Sequence, residues 1–195
     1  MQYTSADNDV INLLVTIDSN YLHALITMLR SYINVHPSDK TDLYIAHSSL
    51  TQKDFKILEK EAEGSGVTVY PIKIEHNYFS DTPVLERLPE ESFYRLLDFD
   101  FLPDSVERCL YLDPDIYILR PLHSLYNIDM GKNMIAAGSH LHGFLNILSK
   151  TRIGGVEHSR YVNSGVLLID VAKIRQSFTA EEVLSSLEKN VQRLL

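Results

Sequence analysis

The apolar positions of this chain follow two alternating rhythms. "VINLLVTI" (10–17) is a run of strand length that is apolar but for Asn12 and Thr16. In the next stretch, "DSNYLHALITMLRSYINVH", Leu22, Leu25, Ile26, Leu29, Tyr32 and Ile33 recur at intervals of three and four. The first rhythm predicts a buried strand. The second predicts a helix opened by the capping residues Asp18 and Ser19 and stopped by Pro37. "DLYIAHS" (42–48) reads as a second strand and "VTVYPIKI" (67–74) as a third. Between them, "TQKDFKILEKEAEGSG" reads as a helix with Thr51 as cap, Asp54 three residues on, and Gly64 as the stop. A β-α-β-α-β run predicts a parallel sheet with right-handed crossovers and helices on both faces.

The second half continues the alternation. "PEESFYRLLDFDFL" (89–102) predicts a helix with acids in its first turn, and "RCLYLDPDIYIL", "NMIAAG" and "SGVLLID" predict strands. The ending "TAEEVLSSLEKNVQRLL" carries a capping box, Thr179 with Glu182, and an apolar stripe of Val183, Leu184, Leu187, Val191 and Leu194. No repeat, low-complexity segment or Gly/Ser linker interrupts the pattern, so residues 1–195 are expected to form a single α/β domain. The chain stops on Leu194 and Leu195 without a Gly or Pro terminator, which reads as a chain whose next element is missing.

Composition narrows the function classes. A net charge of −8 argues against the basic face that nucleic-acid binding needs. With 45% hydrophobic and 23% charged residues the chain has the balance of a soluble globular protein. No apolar run approaches the roughly 18 residues of a membrane span, and the polar start "MQYTSADNDV" is unlike a signal peptide. The lone Cys109, flanked by apolar residues, cannot form an internal disulfide and reads as a packing residue. A cytoplasmic location is the expectation.

The chemistry concentrates in "CLYLDPDIYILRPL" (109–122), where two acids interrupt an otherwise apolar strand. Ionised carboxylates sit in such a place only when something compensates their charge. On extended backbone Asp113 and Asp115 would point the same way, with Pro114 holding Asp113 in the β region, so both would converge at the end of a central strand. Convergent hard oxygens favour Mn²⁺ or Mg²⁺. The alternative is a surface turn, since x-Pro-Asp is also a turn signature. Two other Asp-x-Asp pairs, Asp7/Asp9 and Asp98/Asp100, read as solvated charge: one lies in the polar start, the other on a helix where residues two apart do not share a face.

"YLDPDIYIL" resembles the D-x-D signature of GT-A glycosyltransferases, and three further blocks are similar to family 8, which includes bacterial lipopolysaccharide galactosyl- and glucosyltransferases and the glycogenins. "VTIDSNY" (15–21) is similar to the family's first strand and turn, implying nucleotide contacts from Thr16, Asp18 and Asn20. "SFYRLLDFDFLP" (92–103) resembles the helix before the metal strand, implying Arg95 near the diphosphate. "YVNSGVLLID" (161–170) is similar to the block whose asparagine, here Asn163, contacts the donor sugar. The resemblance implies a GT-A fold, a Rossmann-like mixed but mainly parallel sheet flanked by helices. It also implies a retaining transferase moving a hexose from a UDP-sugar to a saccharide or lipid-linked saccharide acceptor. Asp113 and Asp115 would hold Mn²⁺ or Mg²⁺, at a location in the cytoplasm or peripheral to the inner membrane face.

The departures also carry implications. The family's D-Q segment and its H-x-x-G-x-x-K-P-W block, which supplies a third metal ligand and diphosphate contacts, do not occur in this sequence. A truncated, non-catalytic UDP-sugar-binding or assembly protein is therefore the alternative, with exposed terminal leucines favouring homo-oligomers. "AAGSHLHG" places His140 where the family often has an acid near the donor sugar, and His142 follows; polar loop residues are the expectation for both, with no role for His158. A phosphatase that uses Asp-x-Asp as nucleophile and acid is disfavoured, because Tyr117 stands where that pattern wants Thr or Val and no later acidic motif follows.

Overall fold

The computed structural model describes residues 10–74, 91–138 and 162–191. Its centre is one six-stranded sheet. Strand β1 (Ile11–Ile17) leads through a 3₁₀ turn (Ser19–Tyr21) into α1 (Leu22–Val35), and β2 (Thr41–His47), α2 (Gln52–Ala62) and β3 (Val67–Lys73) follow. Two short helices, α3 (Glu91–Tyr94) and α4 (Asp98–Phe101), precede β4 (Arg108–Leu112). Then come α5 (His123–Tyr126), β5 (Ile135–Ala137), β6 (Val166–Asp170), α6 (Val171–Ser177) and α7 (Ala180–Val191).

The sheet order is β3-β2-β1-β4-β6-β5. β1 pairs in parallel with β2 and β4, and β2 with β3. β6 runs antiparallel to both β4 and β5. The sheet is thus mixed and mainly parallel, as expected. β3 lies at an edge, where Pro71 costs no ladder bond that a neighbour needs.

Strand alternation sorts the core into two layers. Ile11, Leu13, Val15 and Ile17 of β1 share one face with Leu110 and Leu112 of β4, packed under Leu25, Met28, Leu29 and Tyr32 of α1 and Phe55 and Leu58 of α2. Leu14 of β1 and Cys109 and Tyr111 of β4 belong to the other face, packed against Tyr94, Leu97, Phe99, Val171 and Ile174. At roughly 1.5–3 kcal/mol for each fully buried large apolar side chain, these two layers supply the main force holding helices to the sheet.

The sequence signals at helix ends act as expected. Asp54 accepts from the Thr51 N–H at 2.7 Å at the start of α2, and Gly64, at φ +77°, lets the chain leave that helix. The Glu182 carboxylate accepts from the Thr179 N–H at 3.0 Å, and the Thr179 hydroxyl from the Glu182 N–H at 3.3 Å. Cys109 is fully buried, a packing residue, and burial pushes its thiol well above the usual range.

Three expectations need correction. The helix expected over 89–102 is broken: i→i+3 bonds from Leu96 to Phe93 and from Leu97 to Tyr94 tighten the chain, and α4 starts afresh at Asp98. That break separates Arg95 from Asp98. Asp98 is not solvated charge either, being 1% exposed within the second core layer, while Asp100 is exposed as expected. The strand through Asp113 also ends sooner. β4 stops at Leu112, and the Asp113 carbonyl accepts from the Ile116 N–H at 3.4 Å, closing a turn with Pro114 and Asp115 at its middle. Pro114 fixes its own φ and has no N–H for a ladder, so the turn reading of x-Pro-Asp describes the backbone here. Of the residues read as continuing the strand, Tyr117 is 64% and Leu119 78% exposed, while Ile118 is buried.

α6 tethers the Asp98 region. Arg175 donates Nε to the Phe99 carbonyl at 2.7 Å and Nη2 to the Leu102 and Pro103 carbonyls at 2.7 and 3.1 Å. Its Nη1 reaches the Asp104 and Val106 carbonyls at 3.3 and 3.2 Å. One guanidinium thereby binds five carbonyls at the end of α4 and in the segment that follows it. Burial raises the Asp98 carboxyl to about 7, against relief from the Phe99 N–H, the Cys109 thiol and the Arg175 charge. Between the ordinary carboxyl value of 3.8 and about 7 the folded state keeps a proton that the unfolded chain releases, so stability falls as pH rises through that window. Asp98→Asn should remove this slope and exceed the parent by roughly 4 kcal/mol at alkaline pH. Urea denaturation at pH values across and above the window checks it; an unchanged slope would assign the dependence to another group.

Candidate functional site

The chain lays β2 and β3 on one side of β1 and β4 on the other, so the carboxyl ends of β1 and β4 border a topological switch point. Asp18 follows β1 there, and Asp113 follows β4. The β1–β4 register pairs Leu14 with Tyr111, which carried two residues on sets Thr16 level with Asp113. Alternation then puts Thr16, Tyr111 and Asp113 on the same face, the one covered by α3 and α4.

Antiparallel β6 delivers its start to this point. The Asp113 N–H donates to the Gly165 carbonyl at 2.8 Å, one step beyond the Leu112–Val166 pair. Arg95, just after α3, donates Nη1 both to the Ser164 carbonyl at 2.8 Å and to Asp113 Oδ1 at 3.1 Å. Its Cζ lies 4.7 Å over the centre of the Tyr111 ring, a cation–π contact. The Tyr111 hydroxyl donates to the same Oδ1 at 2.7 Å and lies 3.2 Å from Thr16 Oγ1. Among the described residues no hydrogen bond goes to Asp113 Oδ2. Asn163 Oδ1 accepts from the Gly165 N–H at 2.8 Å, and the Asn163 N–H donates to the Gly138 carbonyl at 2.8 Å.

Thr16, Arg95, Asp113 and Asn163 are thus joined through Tyr111, Ser164 and Gly165. Asp18 and Asn20 form a neighbouring unit. Asp18 Oδ1 accepts from the Asn20 and Tyr21 N–H groups at 2.9 and 3.2 Å, and its Oδ2 accepts from Asn20 Nδ2 at 2.8 Å. The acid therefore caps the 3₁₀ turn ahead of α1. Thr16 is 5% exposed, with its hydroxyl directed at Tyr111 and not at the surface. Asp115 is exposed in the turn. His140, His142 and His158 lie outside the described residues.

Sequence reasoning passed over Tyr111 and Gly165. Tyr111 could have been found by strand spacing, two residues before Asp113. Gly165 was invisible, because only the tertiary fold shows what its missing side chain makes room for. A Cβ built there would stand 2.5 Å from Asp113 Oδ2 and 3.2 Å from Asn163 Oδ1.

A second set of metal-type ligands, His36, Asp39 and His123, lies at the opposite end of the sheet, around the starts of β1 and β2. His36 Nε2 accepts from the Leu122 N–H at 2.8 Å, so its proton is on Nδ1, which donates to Asp39 Oδ2. His123 Nε2 lies 2.8 Å from that same oxygen. Binding an ion through Nδ1 would place a proton on Nε2 against the Leu122 N–H. The cluster reads as a structural tie between α1 and α5, and burial holds His36 below its usual pKa.

The sequence model of Glycosyl transferase family 8 matches residues 12–195. The chain belongs to that family. Among relatives, General stress protein A of Bacillus subtilis (strain 168) is 22% identical over 187 residues, covering 94% of this chain and 64% of its own length. Lipopolysaccharide 1,2-glucosyltransferase of Escherichia coli (strain K12) is 22% identical over 184 residues, covering 92% of this chain and 53% of its own. The galactosyltransferase LgtC, solved with donor and acceptor sugar analogues, superposes with a TM-score of 0.79 at 23% identity, over 93% of this chain and 66% of that one. The fold is GT-A, and the family 8 chain described here spans about half to two-thirds of the length of these relatives. Among the described residues no helix is long and apolar enough to cross a membrane.

The clash at Gly165 involves the tip of a side chain, so a methyl group there should displace the Asp113 carboxylate and leave the sheet intact. A crystal structure of Gly165→Ala should show Asp113 Oδ1 off both Tyr111 and Arg95, with Tm lowered by less than about 5 °C. A variant that retains both hydrogen bonds would refute this packing.

Proposed function

We propose that this domain binds a UDP-sugar and a divalent cation for a retaining glycosyltransferase that moves a hexose to a saccharide or lipid-linked saccharide acceptor. The observation that carries the reading is the asymmetry of Asp113: Oδ1 is held by Tyr111 and Arg95, while Oδ2 takes no hydrogen bond among the described residues. An acid so arranged at a switch point fits a hard cation, and the exposed Asp115 supplies a second carboxylate two residues on. Asp113 and Asp115 would hold Mn²⁺ or Mg²⁺. When bound, that ion neutralises charge building on the leaving diphosphate.

The chain's own residues support donor binding around that point. Arg95 places a guanidinium beside Asp113, where phosphate oxygens would gather. Asn163, its carboxamide oxygen fixed on the Gly165 N–H, stands beside that point as the side chain for the donor sugar. Asp18 and Asn20 form a polar, partly exposed corner at the end of β1 for the nucleoside. Similarity to a lipopolysaccharide glucosyltransferase supports a saccharide acceptor.

Calorimetric titration of UDP, with and without Mn²⁺, tests the reading on the protein and on Asp113→Ala/Asp115→Ala. Binding should depend on Mn²⁺ and weaken by about 100-fold or more in the double variant. Binding indifferent to the metal and to both substitutions would overturn it.

A further inference from the structure

Tyr111 is larger and more polar than its place in the core requires. Its ring is fully buried in the second layer, a position that phenylalanine would fill. A buried hydroxyl is tolerated only with partners. Here they run in one direction. An ionised Asp113 can only accept, so the Tyr111 hydroxyl must donate to Oδ1, at 2.7 Å. The tyrosine oxygen is then the acceptor for the Thr16 hydroxyl at 3.2 Å. Thr16 is itself buried on the neighbouring strand, so its proton is committed inward.

Arg95 completes the arrangement from the other side. It stacks 4.7 Å over the Tyr111 ring and reaches the same carboxylate oxygen at 3.1 Å. Both donors therefore converge on Oδ1, and the carboxylate plane is set with Oδ2 against the bare α-carbon of Gly165.

We infer that Tyr111, oriented by Thr16, is the positioning residue of the metal carboxylate: it shares Asp113 Oδ1 with Arg95, so that Oδ2 is the oxygen presented to the cation. This rests on the metal-dependent donor binding proposed above. It assigns the Thr16 hydroxyl an indirect role, acting through Tyr111 and Asp113 and not by touching the nucleotide. Tyr111 does not meet the reacting atoms and is not a catalytic residue.

Mn²⁺ titration by calorimetry in the presence of UDP, alongside metal-free UDP binding and thermal denaturation, tests this on the protein, Tyr111→Phe, Thr16→Val and the pair together. Tyr111→Phe keeps the ring and its stacking on Arg95 and removes only the hydroxyl, the donor to Asp113 and the acceptor for Thr16. Its Mn²⁺ affinity should fall by about 10-fold, the scale on which hydrogen-bond partners of metal ligands act. Metal-free UDP binding should not change. Thr16→Val should lower Mn²⁺ affinity by about 3-fold, and the double variant should be no weaker than Tyr111→Phe alone, because the two act along one path. A Tyr111→Phe protein with unaltered Mn²⁺ affinity overturns the inference. If that variant fails to fold, Thr16→Val decides: an unchanged affinity overturns it, a selective loss of the metal-dependent part sustains it. Absence of Mn²⁺-dependent binding in the parent protein overturns the donor-site reading first, and this inference with it.

Discussion

The carboxylate of Asp113 is partly withdrawn from water at the end of a buried strand, and the surrounding structure answers that constraint. A charge moved out of water is tolerated only where donors replace its hydration. Tyr111 supplies one from the same strand, two residues back, and Arg95 supplies another from the segment after α3. Arg95 in turn needs an acceptor and finds it in the Ser164 carbonyl, just ahead of β6. The antiparallel direction of β6 is what brings that carbonyl, the Gly165 backbone and Asn163 to the carboxyl end of β4. A parallel β6 would have delivered its far end instead.

The two ends of the sheet show why a set of ligand-type residues is not in itself a site. At the starts of β1 and β2, the His36–Asp39–His123 cluster has its ring nitrogens and carboxylate oxygen engaged with one another and with the Leu122 N–H. The tautomer that satisfies those bonds leaves His36 no lone pair for an ion. At the carboxyl ends, Asp113 has one oxygen engaged, and its other takes no hydrogen bond among the described residues. What matters for binding is the lone pair left over after the fold has taken what it needs.

Asp98 illustrates the other outcome of burying an acid. Its hydrogen-bond donors are the Phe99 amide and the Cys109 thiol, the latter at 3.9 Å, while Arg175 spends its donors on backbone carbonyls. Burial dominates and the carboxyl keeps its proton to about pH 7. Asp98 therefore serves packing, and its pair with the exposed Asp100 gathers no site despite the same D-x-D spacing as Asp113 and Asp115.

Much was legible in the sequence, because local patterns carry it. Apolar runs and three-four periodicity located the strands and the long helices. The Thr51/Asp54 and Thr179/Glu182 boxes and Gly64 marked helix ends, since capping joins residues three apart. The four motif blocks pointed to the family and to the residues that gather at the switch point. What the sequence could not determine is which lone pairs stay open, because that depends on residues far apart along the chain. Register set Thr16 beside Asp113 and strand direction brought Gly165 over its carboxylate. Pro114 turned the chain where an extended strand was expected, and apolar packing drew Asp98 inward. Each is a matter of what lies across from a residue, and only the tertiary structure decides that.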